Sequence, residues 1–223
     1  MKIRCSSLGR LMGGFEKPRT ELSETAKDLI VEIAIKDKYG REPIIDSKEM
    51  QKGRRVEEDS ITLLSDVRKM LYIKNKEKLE NEYITGTLDL KHDHIVSDIK
   101  SSYNLFTFAK AGIEHPYAWQ LTGYMWLADK TKAELIYTLV NAPEDMIFDE
   151  FKRTCFMTGT FEENKEAYAK LEEDVRRNMT YDDIPKEKRV KIFTIDRDEK
   201  KIELIKAKHK LAQEYYDTII NSI

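Results

Sequence analysis

The stretch that most constrains the fold is TGTLDLKHDHIVSDIKSS, residues 85–102. Two alternating segments flank a short polar turn, which is the pattern of an antiparallel hairpin. With Asp93-His94 as the two turn residues, counting outward pairs His92 with Ile95, Lys91 with Val96, Leu90 with Ser97 and Asp89 with Asp98. Side chains alternate along a strand, so Asp98 and Lys100 share a face, Asp89 joins them across the ladder, and Leu88 and Leu90 face the other way. Directly opposed like charges on a ladder repel. Three remedies exist: solvation of the acidic face, an up-shifted pKa on one carboxyl, or a bound cation.

The rest of the chain sets the frame around this hairpin. ELSETAKDLIVEIAIKDKYG reads as an amphipathic helix with Ser23 as N-cap and Gly40 as stop. SKEMQKGRRVEEDSITLLSDV reads as another, with Val56, Ile61, Leu63 and Leu64 toward the core. Strands are expected near 70–74, 82–91 and 94–101, a helix over 115–128 with Pro116 near its first turn, and a buried strand in AELIYTLVN. A charged helix follows over about 161–178, then a strand in RVKIFTIDRD and a closing helix from residue 200. The first segment, with Ser6, Ser7, Gly9, Gly13 and Gly14, is expected to be loop plus a short helix. Helices around a short mixed sheet make an α/β fold.

Length and composition bound the function classes. A chain of 223 residues fits one domain with a sizeable core, and nothing in it marks a linker or repeat. The apolar runs fall far short of a membrane span, and the N-terminal segment has no secretory pattern, so a cytoplasmic location is expected. Two cysteines, Cys5 and Cys155, cannot build a four-cysteine zinc or iron–sulfur site. His92 and His94 flank the turn without cysteine partners, which is no zinc set. The net charge of −2 gives no bulk attraction to nucleic acid, so any such binding must come from local patches or metal ions. Basic clusters stand at KGRR (52–55), KEKRVK (186–191) and KAKHK (206–210). Trp119, Trp126 and Tyr117 read as core or groove packing.

If a cation resolves the acidic face, Mg²⁺ suits it: a hard ion that takes one or two carboxylates, a carbonyl and phosphate oxygens, keeping waters elsewhere. Asp89, Asp98 and the carbonyl of Ile99 would supply that set. Lys100, two positions beyond Asp98 on the same face, could then orient or deprotonate a metal-bound water, or steady charge on phosphorus.

Gly-x-x-Asp at 86–89 followed by Asp-x-Lys at 98–100 resembles the PD-(D/E)XK nuclease superfamily. Gln120 and Tyr124 look like the Gln-x-x-x-Tyr helix motif of its RecB-like and lambda-exonuclease branches. KGRRVEED resembles the helix that contributes a glutamate to the site in the lambda-exonuclease/YqaJ branch; the matching acid is Glu57, with Glu58 its neighbour and rival. The N-terminal IRCSSLGRLMGGFEKPR is similar to the segment in which that branch holds a 5′-phosphate, matching Ser6, Arg19 and Arg4. Thr87 falls where the family often has a phosphate-contacting hydroxyl. Asp98 stands where glutamate is more usual, a shorter reach to a metal.

The resemblance implies a restriction-endonuclease-like core and a Mg²⁺-dependent deoxyribonuclease, with Mn²⁺ as a substitute ion. It implies digestion of linear double-stranded DNA from the 5′ end, leaving 3′ single strands for recombination, as in phage systems. Glu57, Asp89 and Asp98 would hold the metal and Lys100 would help activate water. Gln120 would position substrate or Lys100, and Tyr124 would reach toward the site or the DNA backbone. A ring-shaped homo-oligomer and a single-strand annealing partner follow by the same analogy. The alternatives are a structure-specific or endonucleolytic nuclease of the superfamily, and a catalytically idle DNA-binding protein with the same fold.

Overall fold

A computed structural model describes residues 1–13, 21–44, 46–91 and 95–223. Its strands form two small sheets flanked by helices. In the first, β1 (Ile3–Arg4) pairs parallel to β3 (Ile84–Thr87), which pairs antiparallel to β2 (Lys78–Glu80). The second has the order β4 (Leu90–Lys91), β5 (Ile95–Ser101), β6 (Lys132–Thr138), β7 (Val190–Asp196). β5 and β6 are parallel, with Asp98 beside Leu135 and Lys100 beside Tyr137. Parallel neighbours need a crossover. Here it runs through α5 (Leu105–Ala109) and α6 (His115–Ala128).

α6 covers one face of the sheet, where Val96, Ala133, Leu135 and Tyr137 join Leu121, Tyr124 and Met125 in the main core. The other face is covered by α4 (Glu57–Arg68), through Ile61 and Leu64 against Leu90, Ile99 and Ile136. A near-continuous apolar strand buried on both sides is the expected pattern for β6. At the flanks, α2 (Glu24–Tyr39) packs on the closing helix α9 (Glu199–Ser222), and α7 (Glu144–Thr158) on α8 (Lys165–Met179). The ends of α2 follow the expected chemistry: Ser23 Oγ accepts from the Ala26 amide at 3.2 Å, and Gly40 closes the helix at φ +65°.

Several expectations change. Residues 70–74 are not a strand: the Tyr72 amide bonds Ser65 Oγ at 3.1 Å, at the end of α4, and Leu71 and Ile73 are exposed. The single helix expected across 47–67 is two, α3 (Lys48–Arg55) and α4, broken at Val56, so Glu57 opens a helix instead of lying inside one. Helix α7 and strand β2 were not expected. The strand expected over 82–91 leaves one sheet after Thr87 and joins the other at Leu90. Leu88 and Leu90 therefore do not share a face: Leu88 sits in the core under α6, and Leu90 lies under α4. His92, Asp93, His94 and Arg19 lie outside the described residues.

Candidate active site

The observed hairpin register is the counted one, Leu90 opposite Ser97 and Lys91 opposite Val96, but the ladder ends there. Asp89 is not a cross-strand partner of Asp98. Its Oδ2 instead accepts from the Ile99 backbone amide at 2.7 Å, and its own carbonyl accepts from the Asn75 amide at 2.7 Å. The chain's step between sheets at Leu88–Asp89 thus carries this carboxylate to the edge of β5, beside Asp98 and Lys100.

Asp98 is 2% exposed. Its Oδ1 accepts from Gln120 Nε2 at 3.0 Å, and the same amide donates to the Tyr124 hydroxyl at 3.0 Å. Residues 117, 120 and 124 share one face of α6, and that face lies on β5. The glycine of Gly-x-x-Asp has a reason here. A Cβ on Gly86 would stand 2.7 Å from Tyr124 Cε1, so only glycine lets the tyrosine close on β3. Tyr124 is 5% exposed, and burial pushes its phenol well above the ordinary tyrosine range. Expected to reach toward the site or the DNA backbone, its hydroxyl accepts from Gln120, the residue that holds Asp98. Gln120, also buried, holds Asp98; no bond to Lys100 is among its contacts.

Asp98 Oδ2 lies 2.7 Å from Lys100 Nζ, an ion pair that lacks hydrogen-bond geometry, and this fully buried oxygen has no hydrogen-bond partner among the described residues. Burial pulls the Lys100 ammonium down, but the carboxylates of Asp98 and Asp89 outweigh it and hold the group above its ordinary pKa. Burial, then the Asp98 charge, pushes the Asp89 carboxyl well above the usual carboxylate range.

A cleft of about 750 Å³ is lined by Glu57, Asp89, Ile99 and Lys100, with Arg54 and Lys110 adding positive charge; the buried Asp98 does not line it. The break at Val56 turns Glu57 into the cleft, whereas Glu58 is exposed and does not line it. Lys74 Nζ holds Glu57 Oε2 at 2.6 Å. Lys74 was invisible as a partner in the sequence, because it ends a segment, 70–74, that reads as strand.

Arg4 lies elsewhere. It is exposed, 3.4 Å from Glu42, and lines a second cavity with Arg10 and Lys36; among the described residues Met50 lines both that cavity and the cleft. Ser6 is exposed and lines neither cavity; its neighbour Ser7 lines the second. Thr87 is exposed at the end of β3 and does not line the cleft.

The residues present fit a cation. The buried Asp98 and half-buried Asp89 share one lysine, which leaves an excess of negative charge that a cation would offset, and Asp98 Oδ2 has Lys100 beside it but no hydrogen-bond partner of good geometry among the described residues. Among the described residues no group of three or more His, Cys, Asp or Glu stands together as a ready-made metal cluster. Asp89 and Asp98 with a backbone carbonyl match an ion that keeps several waters better than a closed protein cage. Glu57 faces the same cleft from across it, tied to Lys74.

No protein-family model matches this sequence, and no curated protein matches it. Solved structures do. The chain is similar to a phage-related exonuclease from Haemophilus somnus 129PT, with TM-score 0.79 and 28% identity, covering 100% of this chain and 96% of that one. An alkaline exonuclease from Laribacter hongkongensis, LHK-Exo, shares the fold at TM-score 0.67 and 11% identity, covering 99% of this chain and 90% of that one. LHK-Exo in complex with dAMP superposes comparably, at TM-score 0.65 and 12% identity. The exonuclease likeness spans the chain end to end, so it takes in the flanking helices α7 to α9 as well as the hairpin and α6. The described residues include no helix long and apolar enough to cross a membrane.

Proposed function

We propose that this chain is a metal-dependent DNA exonuclease that digests linear duplex from the 5′ end and leaves 3′ single strands. The observation that carries this reading is the buried Asp98, held on one oxygen by Gln120 and ion-paired on the other with Lys100, next to Asp89, with Asp89 and Lys100 lining a cleft. An exonuclease likeness across the full chain supports it.

Asp89, Asp98 and the carbonyl of Ile99 would hold Mg²⁺ or Mn²⁺, and Glu57 would face a second ion or its waters. Bound there, the ion would polarise the scissile phosphate and lower the pKa of a water beside it. The protein's own groups do the rest. Gln120, braced by Tyr124, keeps one Asp98 oxygen occupied and so aims the other. Lys100, kept cationic by its two aspartates, neutralises charge that develops on the phosphate oxygens. Arg54 and Lys110 on the cleft wall meet backbone phosphates, so affinity falls steeply with salt. LHK-Exo has been solved with dAMP, a nucleoside monophosphate, the product class expected here. Ser6 and Arg4, beside the second cavity, and Arg19 are assigned to the 5′-phosphate by family resemblance, as are a ring-shaped homo-oligomer and an annealing partner.

The test is digestion with Mg²⁺ of linear duplexes with and without a 5′-phosphate, alongside a closed circle. The expected result is loss of the 5′-phosphorylated strand first, with the circle intact. Cutting of the circle would instead establish an endonuclease.

A further inference from the structure

We propose that Tyr117 is a positioning residue for Lys100, its ring face fixing the ammonium between Asp98 and the cleft. This rests on reading the cleft as the site of phosphodiester cleavage. Lys100 Nζ stands 5.1 Å from the Tyr117 ring centroid, within cation–π range. The lysine therefore has an aromatic face on one side and the Asp98 carboxylate, 2.7 Å away, on the other.

The arrangement follows from how α6 returns across the sheet. A strand advances about 6.6 Å over two residues, the step from Asp98 to Lys100. A helix advances about 4.5 Å over three, the step from Tyr117 to Gln120. In a crossover the helix runs back against its strands, so an earlier helix position meets a later strand position. Tyr117 accordingly meets Lys100, and Gln120 meets Asp98. One helix face thus supports both members of Asp-x-Lys, the first by a hydrogen bond and the second by an aromatic ring.

Tyr117 is itself braced. It packs edge-on to Tyr137 at 6.4 Å and 77° between planes, and the Tyr137 hydroxyl donates to the Gly112 carbonyl at 2.9 Å. Tyr137 is the strand partner of Lys100 on β6. The ring is therefore anchored to the sheet that carries the lysine, and cannot swing away without disturbing that packing. A long lysine side chain loses considerable rotamer freedom when held in one geometry. An aromatic wall placed in the resting protein removes that loss from the reaction itself.

The experiment compares Tyr117→Leu, Tyr117→Met and Tyr117→Phe with the wild type by two readouts. The first is steady-state cleavage of linear duplex. The ringless variants are expected to lose roughly tenfold in kcat with KM unchanged, and Tyr117→Phe to retain kcat, because the ring and not the hydroxyl holds the cation. The second is NMR of the metal-free protein labelled with ¹³C at lysine Cε. The Lys100 signal is expected upfield, from the ring current, in wild type and Tyr117→Phe, and at the ordinary lysine position in the ringless variants. A rise in KM with kcat unchanged would make Tyr117 a substrate contact and overturn the proposal. Equal losses in Phe and Leu, or an unshifted Lys100 signal in the wild type, would overturn it as well. A wild type that cleaves nothing, yet shows the shifted signal, would instead sink the nuclease reading and leave the Tyr117–Lys100 contact standing.

Discussion

The two faces of β5 and β6 treat a buried acid in opposite ways. Under α4, Glu134 is 9% exposed and fully served: Arg68 grips it with two parallel bonds of 2.8 and 2.9 Å, and Ser97 adds a third at 3.4 Å. Arg68 also donates to the Tyr72 hydroxyl at 3.1 Å. Nearby, Ser101, Ser60 and Thr138 close a chain of hydroxyls at 2.7 and 2.9 Å. Under α6, Asp98 has one good hydrogen bond on Oδ1, a second aspartate close by, and on Oδ2 an ion pair to Lys100 but no hydrogen-bond partner among the described residues. Bidentate arginine pairs settle a carboxylate's needs internally. A carboxylate left short inside a protein is a place where something else is meant to bind. The difference separates a structural acid from a working one, on two sides of one sheet.

Exchanging the loss between faces gives the largest effect. Asp98→Ala is expected to reduce cleavage on the order of a thousandfold. Its metal-free stability should fall less than that of Glu134→Ala, because the lost partner of Lys100 and Gln120 is offset by removal of a like charge beside Asp89. Glu134→Ala should do the reverse, costing roughly 3 kcal/mol by stranding Arg68, with activity per folded molecule kept. Urea unfolding and a digestion assay on the same two proteins check both halves. An Asp98→Ala protein that still digested DNA would remove the site from this face.

A smaller effect sharpens the same contrast. Mg²⁺ at a hundred times its dissociation constant should stabilise the wild type by about 2.7 kcal/mol, read as a rise in thermal midpoint over the chelated protein. Asp98→Ala should abolish that rise, and Glu134→Gln should preserve it.

The smallest concerns a cation. Arg68 has its carboxylate, whereas Lys52 is fully buried and, among the described residues, meets the Ser102 and Tyr103 carbonyls, at 3.0 and 2.9 Å, and the Tyr181 ring at 5.4 Å. Burial lowers its pKa from 10.5 to about 8. The protonated lysine therefore costs the folded state below pH 8, where both states are charged. Between pH 8 and 10.5 the unfolded chain binds the extra proton, so stability rises with pH, by roughly 3 kcal/mol across the window. Urea midpoints at several pH values should show that rise in the wild type relative to Lys52→Met, in which it should be missing.

Much of this was legible beforehand. The α6 boundaries, the Ser23 and Gly40 caps and the hairpin register all depend on spacing and on local turn chemistry, which a sequence displays directly. The Asp–Asp–Lys–Gln set was legible as a pattern, and the structure brings those side chains together. What was not legible came from long-range partners. Tyr124 looked available until Gly86 let it close on β3, and Glu57 could not be told from Glu58 until the break at Val56 turned one of them inward. The step of the chain from one sheet to the other at Leu88–Asp89 replaced an assumed cross-strand pair by a carboxylate on the Ile99 amide.

Spacing along the chain determined which chemical groups would lie within a few residues of one another: an aspartate two before a lysine, an amide four before a phenol. Helices and strands have fixed periods, so those relations survive folding whatever surrounds them. The tertiary structure alone decided which buried acid would find an arginine and which would not. Asp98 and Glu134 are both strand carboxylates, and only the packing of α4 and α6 on opposite faces distinguishes them, because a partner 66 positions away leaves no mark on the local pattern.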